Sequence, residues 1–206
     1  MEKIVIIMNG NGGVGKDTLC DFAGEQYKVR NVSAITPIKN LALQCGWRGE
    51  KDPKSRKFLA DLKRVVIEFN DYPYKYLVDE YEKFRVTNAQ ILFVHIREGE
   101  EIDKFKRYVD LPCITLLIRR HEVQQYWGNA SDDNVERYLY DYCYDNDKPL
   151  LEARDDFLSF FNWMVDDRLK KGLKDEVSDN MFSQDRLASP ISDWHLQDKK
   201  LLQRNI

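Results

Sequence analysis

Lys3-Ile4-Val5-Ile6-Ile7-Met8, then Asn9-Gly10-Asn11-Gly12-Gly13-Val14-Gly15-Lys16-Asp17-Thr18, then Leu19-Cys20-Asp21-Phe22-Ala23: this stretch decides how the rest of the chain is read. The first run is short, apolar and β-branched, as suits a central parallel strand buried on both faces. The second is glycine-rich and closes on a lysine. The third opens a helix. Gly10 to Lys16 has the spacing G-x-x-x-x-G-K. Glycines let the backbone curl so that successive N–H groups point into one concavity. The following helix adds its free N–H groups and the positive end of its dipole. Lys16 brings a full charge to the outer phosphates of a nucleotide. Strand before and helix after give the context that turns the string into a phosphate-binding P-loop. One position departs from the pattern: the Ser/Thr that usually follows the lysine and holds Mg²⁺ is Asp17, and the hydroxyl comes one residue later, at Thr18. Gly10, Asn11, Gly12, Gly13, Val14, Gly15, Lys16, Asp17 and Thr18 are therefore the expected nucleotide cradle.

Outward from that stretch, apolar runs and helical patterns alternate. Val32–Thr36 reads as a second strand, with a helix opening at Pro37 and stopped by Gly46. Phe58, Leu62, Val65, Val66 and Phe69 recur at helical spacing. Asp71-Tyr72-Pro73 breaks that helix, and Tyr74, Leu77, Val78, Tyr81 and Phe84 continue in another. Gln90–Ile96 is a third strand, followed by a helix ending near Tyr108. Pro112–Ile118 is a fourth strand. Leu139–Asp145 reads as a fifth, with Tyr138, Tyr140, Tyr142 and Tyr144 alternating on one face. Pro149–Val165 is a strong helix. This alternation predicts an α/β, three-layer P-loop NTPase fold: a mostly parallel five-stranded sheet flanked by helices. Ligands of such sheets bind at the carboxyl ends of the strands. The notable polar residues fall there: the P-loop, Lys39, Arg97, Arg119 with Arg120, and Asp145 to Asp147.

Composition narrows the function classes. About 43% of the 206 residues are hydrophobic, enough for a real core, and a third are charged with a net charge of only −3. No global basic excess exists to track a nucleic-acid polymer. No segment has the length and apolarity of a membrane span, and the apolar start is too short for a signal peptide. These features predict a cytoplasmic protein, a monomer or weak homodimer. Cys20, Cys45, Cys113 and Cys143 are widely spaced, so disulfides and a zinc site are not expected, and Cys113 and Cys143 read as buried thiols. After about Asp166 the chain turns polar. We divide it into a nucleotide kinase-like domain over 1–165 and, over 166–206, a peripheral helix with a weakly structured tail, in which Trp194, Leu196, Leu201 and Leu202 are candidate docking residues.

Several motifs taken together resemble the phage-type deoxynucleoside monophosphate kinases, within the P-loop nucleoside monophosphate kinase superfamily. They are Gly15-Lys16-Asp17-Thr18 with Asp21-Phe22; Thr36-Pro37-Ile38-Lys39-Asn40-Leu41-Ala42; Arg56 to Leu62; Arg97-Glu98-Gly99-Glu100-Glu101; Asn129-Ala130-Ser131-Asp132; and Tyr144-Asp145-Asn146-Asp147. The matches run in order from residue 1 to about 162. Three departures stand beside them. His95 occupies the place of the family's aspartate two residues before the strand-three arginine. The glutamine and glycine expected after the arginine-led helix are absent from Leu62 to Val66. The lid from Arg120 to Asn134 is short.

The resemblance implies transfer of the γ-phosphoryl of ATP to a (deoxy)nucleoside 5′-monophosphate, with Mg²⁺. Such chemistry needs positioning and charge neutralisation more than a general base. It gives Lys16, Arg97, Arg119 and Arg120 as catalytic candidates, Lys39, Arg56 and Arg97 as acceptor binders, and Asp17 and Thr18 as metal binders. Asp17 caps the helix in the alternative reading. Of Arg119 and Arg120, one reaching the phosphates is sufficient. His95, alone at a strand end, reads as a hydrogen-bonded structural residue, and Trp127 as a candidate to stack on a base. Two other readings remain open: a different small-molecule P-loop kinase, such as one resembling dephospho-coenzyme A kinase, and a nucleotide-binding regulatory protein without efficient transfer.

Overall fold

The structure, a computed structural model, describes residues 2–121 and 135–182, with side chains as far as Lys170. Its sheet has five strands: β1 (Ile4–Asn9), β2 (Val29–Ser33), β3 (Ile91–His95), β4 (Cys113–Arg119) and β5 (Tyr142–Asp145). They lie in the order β2-β3-β1-β4-β5, and every neighbouring pair is parallel. Both strands flanking β1 are reached by crossovers, so β1 is central and its carboxyl end sits in the middle of the ligand edge. The helices are α1 (Lys16–Gly24), α2 (Thr36–Gln44), α3 (Pro53–Asn70), α4 (Tyr72–Val86), α5 (Gly99–Tyr108) and α6 (Leu150–Phe182), with a 3-10 turn at Val135–Arg137.

The period of two along β1 builds the two faces of the core. Ile4, Ile6 and Met8 pack with Leu19, Cys20 and Ala23 of α1 and with Phe157, Phe161, Met164 and Val165 of α6. Val5 and Ile7 face the other way, onto Leu77, Tyr81 and Phe84 of α4 and Ile102 and Phe105 of α5. All six residues of β1 are buried. At about 25 cal/mol per Å² of apolar area, this double burial is the main force holding the P-loop strand in place. Three helix-on-sheet layers result.

The architecture agrees with the expected α/β sheet, and four details differ. The second strand ends at Ser33, and Thr36 already belongs to α2. Polar Arg30 and Asn31 hid the strand's beginning, because β2 is an edge strand that is only partly covered. The fifth strand starts at Tyr142 rather than at Leu139. Its four tyrosines consequently divide between the faces: Tyr138 and Tyr140 pack on the Val5–Ile7 side, Tyr142 and Tyr144 on the Ile4–Ile6–Met8 side. Tyr138 and Tyr140 precede the strand, so its alternation does not govern them. The final helix continues unbroken to Phe182, although the compact unit that holds the sheet ends at Lys170. Finally, Cys143 is exposed, whereas Cys20 is buried. Cys113 is half-buried, and desolvation holds its thiol up at about 12.

The helix α3 departs in another way. Its apolar stripe covers little: Phe69 is 84% and Val65 52% exposed, and Ser55 is its one buried residue. The helix packs against α2 and α4, away from the strands. Asp52 fixes its start by accepting from the Ser55 backbone N–H at 2.8 Å, with Pro53 in the first turn. Among the described residues no helix is long and apolar enough to cross a membrane. Trp127, the Asn129–Asp132 motif and Trp194, Leu196, Leu201 and Leu202 lie outside the described residues.

Candidate functional site

β1 delivers the chain to its carboxyl edge, and the glycines then turn it back into α1. Gly10 has φ +143°, and a Cβ there would stand 2.3 Å from the Ile118 carbonyl oxygen of β4. Gly15 has φ +90°, and a Cβ would meet the Asn146 amide nitrogen at 2.7 Å. No other residue type suits either position. Asn146, buried just after β5, donates from Nδ2 to the Val14 carbonyl at 2.8 Å. Its backbone N–H donates to the Arg119 carbonyl at 2.8 Å. β4 and β5 therefore brace the loop from behind, leaving its concave side open to a ligand.

Lys16 Nζ donates to the Gly10 and Asn11 carbonyls, at 2.6 and 2.9 Å. The ammonium is thereby held over the mouth of the loop, where the β- and γ-phosphates of a bound nucleotide would lie. Asp17 projects from the first turn of α1 with its side chain 90% exposed. It makes no cap hydrogen bond, since the cap position is Gly15. The capping role is therefore not the one it plays. Asp17 Oδ1 accepts from Asn31 Nδ2 at 3.4 Å and stands 3.9 Å from His95 Nε2. An open carboxylate next to Lys16 and the exposed Thr18 hydroxyl are hard oxygen donors. They suit Mg²⁺, which takes one or two protein carboxylates together with water and phosphate oxygens. Among the described residues no group of three or more His, Cys, Asp or Glu could hold a metal by itself, so such an ion would depend on the nucleotide.

His95 ends β3 beneath Asp17. Its Nε2 lies 2.7 Å from Asn31 Oδ1 and 3.8 Å from Cys20 Sγ. Burial lowers its pKa to about 4, with the Lys16 charge acting the same way and Asp17 opposing. It is a neutral, hydrogen-bonded imidazole at physiological pH. Burial also drives the Cys20 thiol well above its ordinary value, which makes it an inert core group.

Among the described residues two clefts lie along the carboxyl edge, the smaller reaching the P-loop and the larger lined by residues outside it. The smaller, of about 250 Å³, lies by β1 and β4 and is lined by Asn11, Val14, Arg119, Arg120, His121 and Glu136 among others. Asp147 anchors His121 through its backbone N–H at 2.8 Å and its ring at 2.5 Å, raising the imidazole pKa. The larger, of about 670 Å³, lies by the ends of β2 and β3, where Ala34, Tyr74, Glu98, Glu100, Arg137 and Tyr138 form part of its wall. Ion pairs knit this wall together. Lys63 of α3 meets Glu101 of α5 at 2.8 Å, and Lys104 of α5 bonds Asp71 between α3 and α4.

The expected site residues are distributed across this edge. Arg119 and Arg120 share the smaller cleft with the P-loop residues Asn11 and Val14. Arg97 follows β3, and its carbonyl accepts from Asn9 Nδ2 at 2.8 Å. Arg56 lies in the first turn of α3, where its Nε donates to the Lys51 carbonyl at 3.2 Å, and Lys39 is exposed on α2. Arg56, Lys39 and Arg97 line neither of the two clefts. Sequence reasoning passed over Asn9 and Arg137, and read Tyr140 only as part of a strand face. Asn9 had a signal: a polar residue closing a wholly apolar strand, directly before the first glycine.

Solved structures are similar to this chain at low sequence identity. A candidate kinase from Chloroflexus aurantiacus superposes with a TM-score of 0.50, at 14% identity, over 83% of this chain and 97% of that one. A Thermus thermophilus protein, TT1252, gives 0.46 at 15% identity, over 80% and 99%. Thymidylate kinase from Ehrlichia chaffeensis gives 0.41 at 12%, over 79% and 99%. At these identities the likeness is one of fold alone: a parallel α/β sheet flanked by helices. No family model and no curated protein matches the sequence. The narrower resemblance to the phage-type kinases therefore rests on the sequence motifs.

Proposed function

We propose that the protein is an ATP-dependent phosphotransferase that moves the γ-phosphoryl group of ATP to a nucleoside or deoxynucleoside 5′-monophosphate. The observation that carries this reading is a braced P-loop with Lys16 at its mouth, together with a separate cleft beyond the ends of β2 and β3 on the same sheet edge. A nucleotide hydrolase or switch needs a single nucleotide site, whereas transfer needs a second compartment opening on the γ-phosphate. The larger cleft, at about 670 Å³, has room for a nucleotide-sized acceptor.

In this reading the P-loop N–H groups and Lys16 hold the donor phosphates, and Arg119 and Arg120 approach them from β4. Asp17 and Thr18 hold Mg²⁺, which neutralises charge on the transferred group. Arg97, with Arg56 and Lys39 on the neighbouring helices, serves the acceptor. The acceptor phosphate is already anionic and needs no general base, so a site of cations without a nucleophile–base pair is sufficient. Arginine forks match phosphate oxygens, and lysine does not substitute for them without loss.

A coupled assay of ADP release with ATP, Mg²⁺ and a panel of nucleoside and deoxynucleoside monophosphates tests the reading. At least one acceptor should accelerate ADP formation well above ATP alone. Lys16→Ala should abolish that turnover while leaving the thermal midpoint nearly unchanged. ATP binding without acceleration by any monophosphate sinks the proposal. That outcome would favour the second reading, a nucleotide-binding protein without efficient transfer. His95 supports it, since a neutral imidazole stands where the resembled family has a carboxylate. Acceleration by a non-nucleotide acceptor would instead point to another small-molecule kinase.

A further inference from the structure

Asn9 is one of the few fully buried polar side chains, 1% exposed at the carboxyl end of the central strand. Burying an amide there is costly unless its polar atoms are paired. They are, and the partners belong to three different segments. Asn9 Oδ1 accepts from the Gly10 backbone N–H at 2.8 Å, inside the P-loop. Asn9 Nδ2 donates to the Arg97 carbonyl at 2.8 Å, on the loop after β3. Its second N–H goes to the Tyr140 hydroxyl at 2.7 Å, ahead of β5. Tyr140 passes the connection on, donating to the Val135 carbonyl at 2.8 Å. Burial and the surrounding charges raise the Tyr140 pKa to about 12, so the hydroxyl keeps its proton and its donor role throughout the working range.

We infer that Asn9 and Tyr140 are positioning residues that set the distance between the donor and acceptor halves of the site. One side chain links the first P-loop amide to the backbone that carries Arg97. Tyr140 then ties both to the 3-10 turn, in which Arg137 enters the larger cleft and Val135 and Glu136 the smaller. A shift of this node moves the donor loop and the acceptor arginine relative to one another. Phosphoryl transfer is sensitive to such displacements, because displacing aligned groups by about 1 Å can cost on the order of 100-fold in rate. The inference rests on the transfer reading above. A purely structural role would ask only that the buried amide be satisfied, and would not require partners on both phosphate-binding edges.

The experiment compares Tyr140→Phe and Asn9→Ala with the wild type in the steady-state assay, alongside equilibrium binding of ATP and thermal denaturation. Tyr142→Phe is the control: its hydroxyl also donates a hydrogen bond, to Asp167 at 2.5 Å, but on the opposite face of the sheet from the node. Tyr140→Phe should lower kcat about tenfold while the dissociation constant for ATP changes less than twofold. Asn9→Ala should lower kcat further, and the combined variant should fall no lower than Asn9→Ala alone, because the two act through one node. Tyr142→Phe should lose comparable stability with unchanged kcat. If Tyr140→Phe loses stability but keeps wild-type kcat, or if the two substitutions multiply independently, the inference is overturned. If Asn9→Ala fails to fold, the kcat of Tyr140→Phe alone decides. A wild type that transfers to no acceptor overturns the transfer reading and this inference with it, an outcome distinct from an active wild type with an insensitive Tyr140.

Discussion

The two clefts along the carboxyl edge differ in the charge of their linings. Among the described residues the smaller is lined by Arg119, Arg120 and His121 with one carboxylate, Glu136. The larger carries Asp71, Glu98, Glu100 and Glu101 against Lys104 and Arg137, and Lys104 and Glu101 are already paired with Asp71 and Lys63. Phosphates are therefore favoured at the first and along the P-loop itself. Under the proposed function the second would take the acceptor, with an uncharged, hydrogen-bond-donating part toward the carboxylates. Asn9 bonds the P-loop to the segments after β3 and before β5, and under the proposed function it lies between the transfer site and the acceptor site.

Several substitutions would break or sharpen that contrast. The largest effect is expected from Gly10→Ala, since its Cβ would lie 2.3 Å from backbone that cannot move without displacing β4. The cost should be on the order of 2–4 kcal/mol together with lost ATP binding. Denaturant titration and equilibrium binding measure both, and a stable Gly10→Ala that still binds ATP would mean the loop is not held against β4 as described. His95, between the clefts, comes next. Its pKa is lowered from 6.5 to about 4, so the unfolded chain binds a proton before the folded one does. The neutral imidazole costs nothing above pH 6.5. As pH falls toward 4 the stability declines, by at most about 3 kcal/mol from this group. His95→Gln should flatten that slope between pH 6.5 and 4. An identical acid slope in the variant would show that His95 can protonate in place.

Smaller effects should distinguish the clefts from one another. Arg119→Ala should raise the KM for ATP about tenfold, roughly 1.4 kcal/mol, and leave the KM for the acceptor within a factor of two. An effect confined to the acceptor would reverse the assignment of the clefts. Removing two charges with Glu98→Gln and Glu100→Gln should lower the KM for the monophosphate about threefold at low salt. The carboxylates repel an entering dianion, and salt should erase the difference. A change that persists at high salt would indicate direct contact with the acceptor instead.

Much of the fold was legible because its signals are local. The run Ile4 to Met8, the glycines from Gly10 to Gly15 and the breaks at Pro37, Gly46 and Pro73 each state their own conformation. Where signals are not local the reading slipped. Tyr138 to Tyr144 alternate like one strand, yet the ladder begins only at Tyr142, since pairing with Leu116 and its neighbours sets where β5 starts. The stripe on α3 is helical and apolar, but whether a stripe is buried depends on what stands opposite it. The site behaves in the same way. Lys16 and the arginines at strand ends could be found by spacing. Asn9 and Tyr140 could not be joined, because 131 residues separate them in the chain and only the parallel order β3-β1-β4-β5 brings their segments together.

By itself, then, the sequence determined the P-loop, the parallel α/β class and the cationic residues at the strand ends, since backbone conformation and hydrophobic period are written residue by residue. Tertiary structure alone decided that Asp17 stays open while His95 is buried neutral beneath it, that most of the carboxylates fall in the larger cleft while Arg119 and Arg120 fall in the smaller, and that one buried amide joins the P-loop to the segments after β3 and before β5. Those outcomes depend on desolvation and on hydrogen bonds between distant segments, quantities that exist only once the strands have been placed side by side.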